Sequence, residues 1–233
     1  MLMPPRFDDP AWLDAQYNNR ARVADAMTQL AKWADASALV RQRSARQMLD
    51  LRYGDGPSET LDVFAAAAPN APVLIYIHGG YWRSLDKSDF SFIAPSFVAD
   101  GAMVVVPNYA LCPAVSVEDI ALQMVKAVAW TWRHAAAHGG NPDRIALVGH
   151  SAGAHLAAML LSCRWKQVDE ALPLQPLAGA LAISGLYDLE PIRRTEFLQV
   201  DLKLTAAQVN RLSPAFFPRP KAGKLYAVVG ADE

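Results

Sequence analysis

The sequence predicts an α/β fold, with a mostly parallel central sheet covered by helices on both faces and an antiparallel N-terminal edge. Three observations carry this. Five nearly continuous apolar runs, at 73–77, 103–106, 145–148, 177–183 and 225–229, read as strands buried on both faces, as in parallel sheets. Helical stretches separate most of them, and that alternation places parallel strands in one sheet. Ahead of them, Leu49, Leu51 and Tyr53 alternate with Asp50 and Arg52. After the turn-rich 54–59 come Leu61, Val63 and Phe64, the pattern of a half-exposed antiparallel pair.

Each element has its own signal. Residues 11–40 form an amphipathic helical stretch with Val23, Met27, Leu30 and Ala34 at helical spacing. Ser116 and Asp119 make a helix start, after which Val117, Ile120, Met124, Val128 and Thr131 line one face. No repeat, low-complexity tract or linker interrupts the chain, so residues 1–233 read as one domain, with the helical segment 1–40 contributing to a cap. The 233 residues carry 22 Lys+Arg against 23 Asp+Glu, which removes any composition-level case for a nucleic-acid or anionic-membrane partner. No apolar run approaches the ~18 residues a bilayer span needs, and the N-terminus has no apolar core of a secretory signal. The expectation is a cytoplasmic protein. Cys112 and Cys163 cannot form a disulfide framework, and neither they nor the five histidines show metal-ligand spacing. No metal or cofactor is expected.

The strongest local signal is Gly149-His150-Ser151-Ala152-Gly153, which follows the strand at 145–148 and opens a helix. Composition alone makes about 0.04 such matches expected in this length. A nucleophilic serine at a tight strand-to-helix turn presents its Oγ above the sheet, and only small residues two before and two after let the backbone close that sharply. The helix N-terminus points N–H groups at developing negative charge. The second signal is His78-Gly79-Gly80-Tyr81-Trp82, ending the strand at 73–77. A loop here supplies backbone N–H groups to an oxyanion hole, assigned to Gly79, Gly80 and Ala152. Tyr81 and Trp82 are expected in the substrate-pocket wall, although plain core aromatics fit nearly as well. His78 reads as structural, ordering its loop. His155 reads as a core residue, His134 and His138 as helix-end residues, and His150 should point away from Ser151.

Together these motifs resemble the α/β-hydrolase superfamily, on the branch shared by kynurenine formamidases (arylformamidases) and hormone-sensitive-lipase-like esterases. His78-Gly79-Gly80-Tyr81-Trp82 departs from the HGGG usual in the lipase-like esterases. Asn108-Tyr109-Ala110-Leu111-Cys112-Pro113 resembles both groups. The stretch from Ser184 to Ile192, the later Ser213-Pro214, and the run from Gln16 to Val23 are most similar to kynurenine formamidases. The resemblance implies a serine hydrolase that cleaves a formyl-like amide through an acyl-enzyme, such as N-formylkynurenine, with Ser151 as nucleophile. The chain order in this fold is nucleophile, acid, histidine. By resemblance to the formamidase pattern Glu233 matches the catalytic acid, with Asp232 the alternative. Asp188 is an outside candidate that more simply caps a helix.

No histidine follows Glu233 to serve as base. The expectation is that the gene product continues beyond it and supplies one, through roughly 40 further residues at average element lengths. Two other readings stand beside the formamidase: a general carboxylesterase for short acyl esters, and a non-catalytic binding module on the same fold. The partner in the first two is a small acyl compound, and a homodimer remains compatible with the sequence.

Overall fold

The computed structural model describes residues 7–220 and 222–231. In chain order the elements are α1 (Pro10–Tyr17), α2 (Asn19–Arg22), α3 (Ala26–Arg43), β1 (Gln47–Arg52), β2 (Thr60–Phe64) and β3 (Ala71–Ile77). A 3-10 segment (Lys87–Ile93), α4 (Ala94–Ala99), β4 (Met103–Pro107), α5 (Val117–His134), β5 (Gly140–His150) and α6 (Ala152–Leu161) follow. The chain then forms α7 (Trp165–Val168), β6 (Leu177–Ile183), α8 (Glu190–Arg193), α9 (Glu196–Leu202), α10 (Ala206–Leu212) and β7 (Lys224–Val228). The strands make one sheet in the order β1-β2-β4-β3-β5-β6-β7. β1 pairs antiparallel with β2, and β2 antiparallel with β4; every other pairing is parallel. This is the expected α/β architecture with its antiparallel N-terminal edge.

The topology fixes where a site can form. The order reverses at β3, which has β4 on one side and β5 on the other. In open α/β sheets ligands bind outside the carboxyl ends of the strands, at such a reversal. β3 and β5 run in register from Val73↔Ile145 to Ile77↔Gly149, so the loop after β3 and the turn after β5 emerge side by side.

Two apolar cores sandwich the sheet. One contains Ile75, Ile77, Val105 and Leu147 with Ile120, Met124 and Val128 of α5 and Leu156 and Leu160 of α6. The other joins Tyr76, Val104 and Val106 to Phe90 and Ala94, with Trp33 and Val40 of α3 packed against it. α5 buries Val117, Ile120, Met124, Val128 and Thr131, and Ser116 and Asp119 close a reciprocal capping box at its start. Among the described residues, no helix is long and apolar enough to cross a membrane.

Two expectations need correction. The helical stretch at 11–40 is broken into three helices, because the Asn18 side chain caps α2 and Asp25 occupies the N-cap position of α3. The inward face is also rotated from the one expected. Val23 and Met27 are 49% and 66% exposed. Trp33 stacks on Phe92 at 5.8 Å, and the buried Ser37 Oγ accepts the Phe92 N–H. The second correction is β7, expected to be covered on both faces. Leu225, Tyr226, Val228 and Val229 are 47–70% exposed, because no described element packs outside this edge strand.

Candidate active site

Ser151 sits between the end of β5 and the start of α6 with φ 56° and ψ −118°, and its N–H donates to the Ile183 carbonyl at 2.8 Å. The flanking glycines leave no alternative. A Cβ on Gly149 would lie 2.2 Å from the Gly153 carbonyl oxygen, and one on Gly153 would lie 2.0 Å from that of Ile77. The turn therefore closes against β3 itself. α6 starts at Ala152, whose N–H is among those a helix leaves without an intrahelical partner.

The loop after β3 arrives at the same point. A Cβ on Gly79 would lie 3.1 Å from Ser151 Cβ, so this backbone passes directly over the serine. Gly80 has φ 111°, and its missing Cβ would meet the Ser84 carbonyl oxygen at 2.1 Å. Tyr81, Trp82 and Leu85 also adopt positive φ. Such a loop persists only if its surroundings over-determine it, and they do. The Tyr81 hydroxyl donates to the Tyr17 carbonyl at 2.8 Å, and Cys112 N–H donates to the Trp82 carbonyl at 2.9 Å. Arg83 donates to the Phe197 carbonyl at 2.8 Å and to Asp201 Oδ2 at 2.6 Å. Ser84 Oγ donates back to the Gly80 carbonyl at 3.0 Å and accepts from Arg20 at 3.0 Å.

Ser151 opens on a cavity of about 660 Å³, walled by Tyr17, Trp33, Tyr81, Phe90 and Phe197 and reached by Gly80 and His150. α1, α2 and α3 form one side of it through Tyr17, Arg20, Val23 and Leu30. Tyr81 thus lies where the sequence puts it. Trp82 does not: it is fully buried and meets His155 edge-on at 5.0 Å, supporting the loop from behind. His150 differs too. Its Nδ1 lies 3.3 Å from where a Gly79 Cβ would stand, and the residue lines the cavity instead of turning away from it.

The remaining histidines have other work. His78 is buried between Phe90 and Tyr109, with Nδ1–H donating to the Gly79 carbonyl at 2.8 Å and Nε2 3.3 Å from Asn108 Oδ1. Burial holds its pKa below the ordinary value. His155 Nε2–H donates to the Leu212 carbonyl at 2.7 Å, and burial pushes its pKa down to about 4. His134 and His138 stack on Trp130, outside the cavity. Asp188 accepts the Glu190 N–H at 2.9 Å from the position before Leu189, which is the N-cap of α8. Among the described residues no side chain hydrogen-bonds Ser151 Oγ, and no group of histidine, cysteine and carboxylate residues could hold a metal. Glu233 and Asp232 lie outside the described residues.

One cluster escapes sequence reasoning. Asp62, fully buried in β2, accepts from Lys87 Nζ at 2.6 Å, from Asp50 N–H at 2.8 Å and from Arg41. Asn108 bonds Lys87 N–H, Asp86 and the Tyr53 hydroxyl, tying this cluster to His78 and the loop over Ser151. The available signal was an aspartate inside the apolar strand Thr60–Phe64.

Comparison with known proteins fits this geometry. The BD-FAE family profile matches residues 61–187. Kynurenine formamidase of Danio rerio is 38% identical over 184 residues, 78% of this chain and 60% of that protein. Esterase LipQ of Mycobacterium tuberculosis is 36% identical over 124 residues, 51% of this chain and 30% of that protein. Among solved structures, a proposed thioesterase of Silicibacter superimposes with a TM-score of 0.82 at 32% identity, covering 94% of this chain and 80% of that one. The chain thus spans about 60% of the length of the Danio relative.

Proposed function

This chain belongs to the BD-FAE family, on the kynurenine-formamidase-like branch of the α/β-hydrolase fold, and from that premise we propose that it is a serine hydrolase of aryl formamides. The observation that carries the reading is the strained Ser151, held under the Gly79–Gly80 backbone at the floor of an aromatic-walled cavity. Ser151 Oγ adds to the formyl carbon as its proton passes to a base. The carbonyl oxygen becomes an oxyanion facing the N–H groups of Gly79, Gly80 and Ala152. Collapse breaks the C–N bond, the arylamine leaves with a proton, and Ser151 carries the formyl ester. Water then releases formate and restores the serine. Glu233, or Asp232, fits the acid that orients the base. His78 and His155 are unsuited to be that base, since both rings are fully buried and neither lines the cavity on which Ser151 opens. The walls suit the arylamine side, and a formyl group needs no acyl pocket of its own. The N-terminal helices, on one side of the cavity, fit a cap role within a single domain.

A fluorophosphonate should add once to the full chain, at Ser151, as read by intact mass and peptide mapping, and Ser151→Ala should abolish the adduct. No adduct on the wild-type protein would return the chain to a binding role. The likeness to LipQ favours a second reading, a short-acyl carboxylesterase. Comparing kcat/KM for N-formylkynurenine with that for a butyryl ester separates the two, and a much better butyryl ester would sink the formamidase reading.

A further inference from the structure

We propose that Ser84 is a positioning residue for the loop over Ser151, and that the N-terminal helices set it through Arg20. The inference rests on the reading of Gly79 and Gly80 as oxyanion donors and says what holds that backbone in place.

Glycine populates positive and negative φ about equally, so Gly80 does not by itself choose the 111° it adopts. Its neighbours make the choice. Among the described residues three donors converge on the Gly80 carbonyl: the Arg83 and Ser84 N–H groups, each at 3.1 Å, and the Ser84 hydroxyl at 3.0 Å. The two N–H groups belong to the turn itself. The hydroxyl is the side-chain donor, and it sits where Gly80 is most crowded, since a Cβ there would meet Ser84 Oγ at 3.0 Å as well as the Ser84 carbonyl oxygen. Rotating the Gly80 backbone would break this bond and carry the Gly80 N–H away from the oxyanion.

Arg20 decides which way the hydroxyl points. A serine hydroxyl rotates, has a single hydrogen and can also accept, whereas a guanidinium can only donate. Arg20 Nη2 lies 3.0 Å from Ser84 Oγ, so it occupies a lone pair and leaves the hydrogen to Gly80. A donor on a hydroxyl also polarises it, which strengthens the bond the hydroxyl makes in turn. Arg20 belongs to α2, and the N-terminal helices meet the loop a second time where the Tyr81 hydroxyl donates to the Tyr17 carbonyl at 2.8 Å. Seating these helices on the cavity is thereby coupled to the backbone over Ser151, so they do more than wall in a substrate.

Steady-state kinetics of the full chain with 4-nitrophenyl acetate, a small activated ester that suits either substrate reading, tests this. Ser84→Ala should lower kcat about tenfold, less than the loss of an oxyanion donor itself, with KM little changed. Ser84→Thr, which keeps the hydroxyl, should restore most of the rate. Arg20→Met should lower kcat about threefold on its own and add nothing to Ser84→Ala, because its effect runs through the hydroxyl. Full kcat in Ser84→Ala, a loss confined to KM, equal losses in Ser84→Thr and Ser84→Ala, or an Arg20→Met effect that is the same in both backgrounds overturns the proposal. If the wild type neither turns over the ester nor takes a fluorophosphonate, the hydrolase reading fails on its own. Amide hydrogen exchange across residues 79–85 then decides the role of Ser84. Faster exchange in Arg20→Met than in the wild type, with no such gain in the Ser84→Ala background, supports the coupling, and any other pattern overturns it.

Discussion

A serine at φ 56° and ψ −118° occupies backbone space that L-residues avoid, at a cost of about 1–3 kcal/mol. That strain has a measurable signature. Ser151→Gly should raise stability in urea by about 1 kcal/mol relative to Ser151→Ala, because glycine removes the Cβ that makes the conformation costly. Equal midpoints for the two variants would mean the turn is relaxed. The flanking position behaves oppositely. Gly153→Ala places a methyl group 2.0 Å from the Ile77 carbonyl oxygen, a backbone atom that cannot move without displacing β3. We expect a loss of about 3 kcal/mol together with loss of fluorophosphonate labelling. The need for small residues around Ser151 was legible because the Gly149 contact lies within the five residues 149–153; the part that comes from Ile77 of β3 was not. The burial of Trp82 was not, since it depends on contact with His155 of α6. The same limit hid His150, which lies beside Gly79 of the loop after β3, far away in sequence.

At the scale of elements, the adjacency of β3 and β5 converts two local motifs into one site, and the alternation of strands and helices was enough to anticipate that. The N-terminal helices were less legible. Helical periodicity survives across the breaks at Asn18 and Asp25, so a scan for apolar spacing joins what the caps divide. Those helices are held partly by charge. Arg41 of α3 and Lys87 of the 3-10 segment both reach Asp62 in β2, with Asp50 of β1 alongside. Taking one partner out of a buried ionic group costs more than the group ever contributed, since the remaining charges stay desolvated. Asp62→Asn should therefore destabilise the fold by about 3 kcal/mol in chemical denaturation. A loss below about 1 kcal/mol would show that Asp50 alone satisfies Lys87 and Arg41. The effect should reach the site as well, because Asn108 links Lys87 to His78. A reduced fluorophosphonate labelling rate at Ser151, in a variant still folded by circular dichroism, is the expected readout. The apolar run at 225–229 states what β7 prefers to contact and not what is present to cover it, although its place as the last strand marks it as an open edge.

For the whole molecule, the two buried histidines set how stability responds to acid. His155 and His78 are each held neutral by burial, His155 with a pKa of about 4 against an ordinary value of 6.5. As pH falls below 6.5 the unfolded chain takes up a proton at each position while the folded chain does not, so acid favours unfolding. The penalty is absent above about pH 7. For His155 it grows from pH 6.5 down to about 4, where the folded form also protonates and the loss is complete. A shift of that size is worth about 3 kcal/mol. Glu190 contributes lower down, since Arg193 and Arg194 hold it at about 2, which separates its window from that of the histidines. Urea midpoints measured from pH 7.5 to 4.5 should fall steadily in the wild-type protein. In His155→Gln, which keeps an N–H donor but cannot titrate, the starting stability should be lower and the slope over this interval clearly shallower. The decline left in that variant belongs to His138, lowered by burial and by the neighbouring His134, and to His78, whose imidazole is wedged between Phe90 and Tyr109 beneath the Gly79 carbonyl. Protonating it there should loosen the loop over Ser151, so fluorophosphonate labelling should slow on the same pH scale in His155→Gln. A slope unchanged by His155→Gln would mean that the buried imidazole is not the group that couples folding to acid.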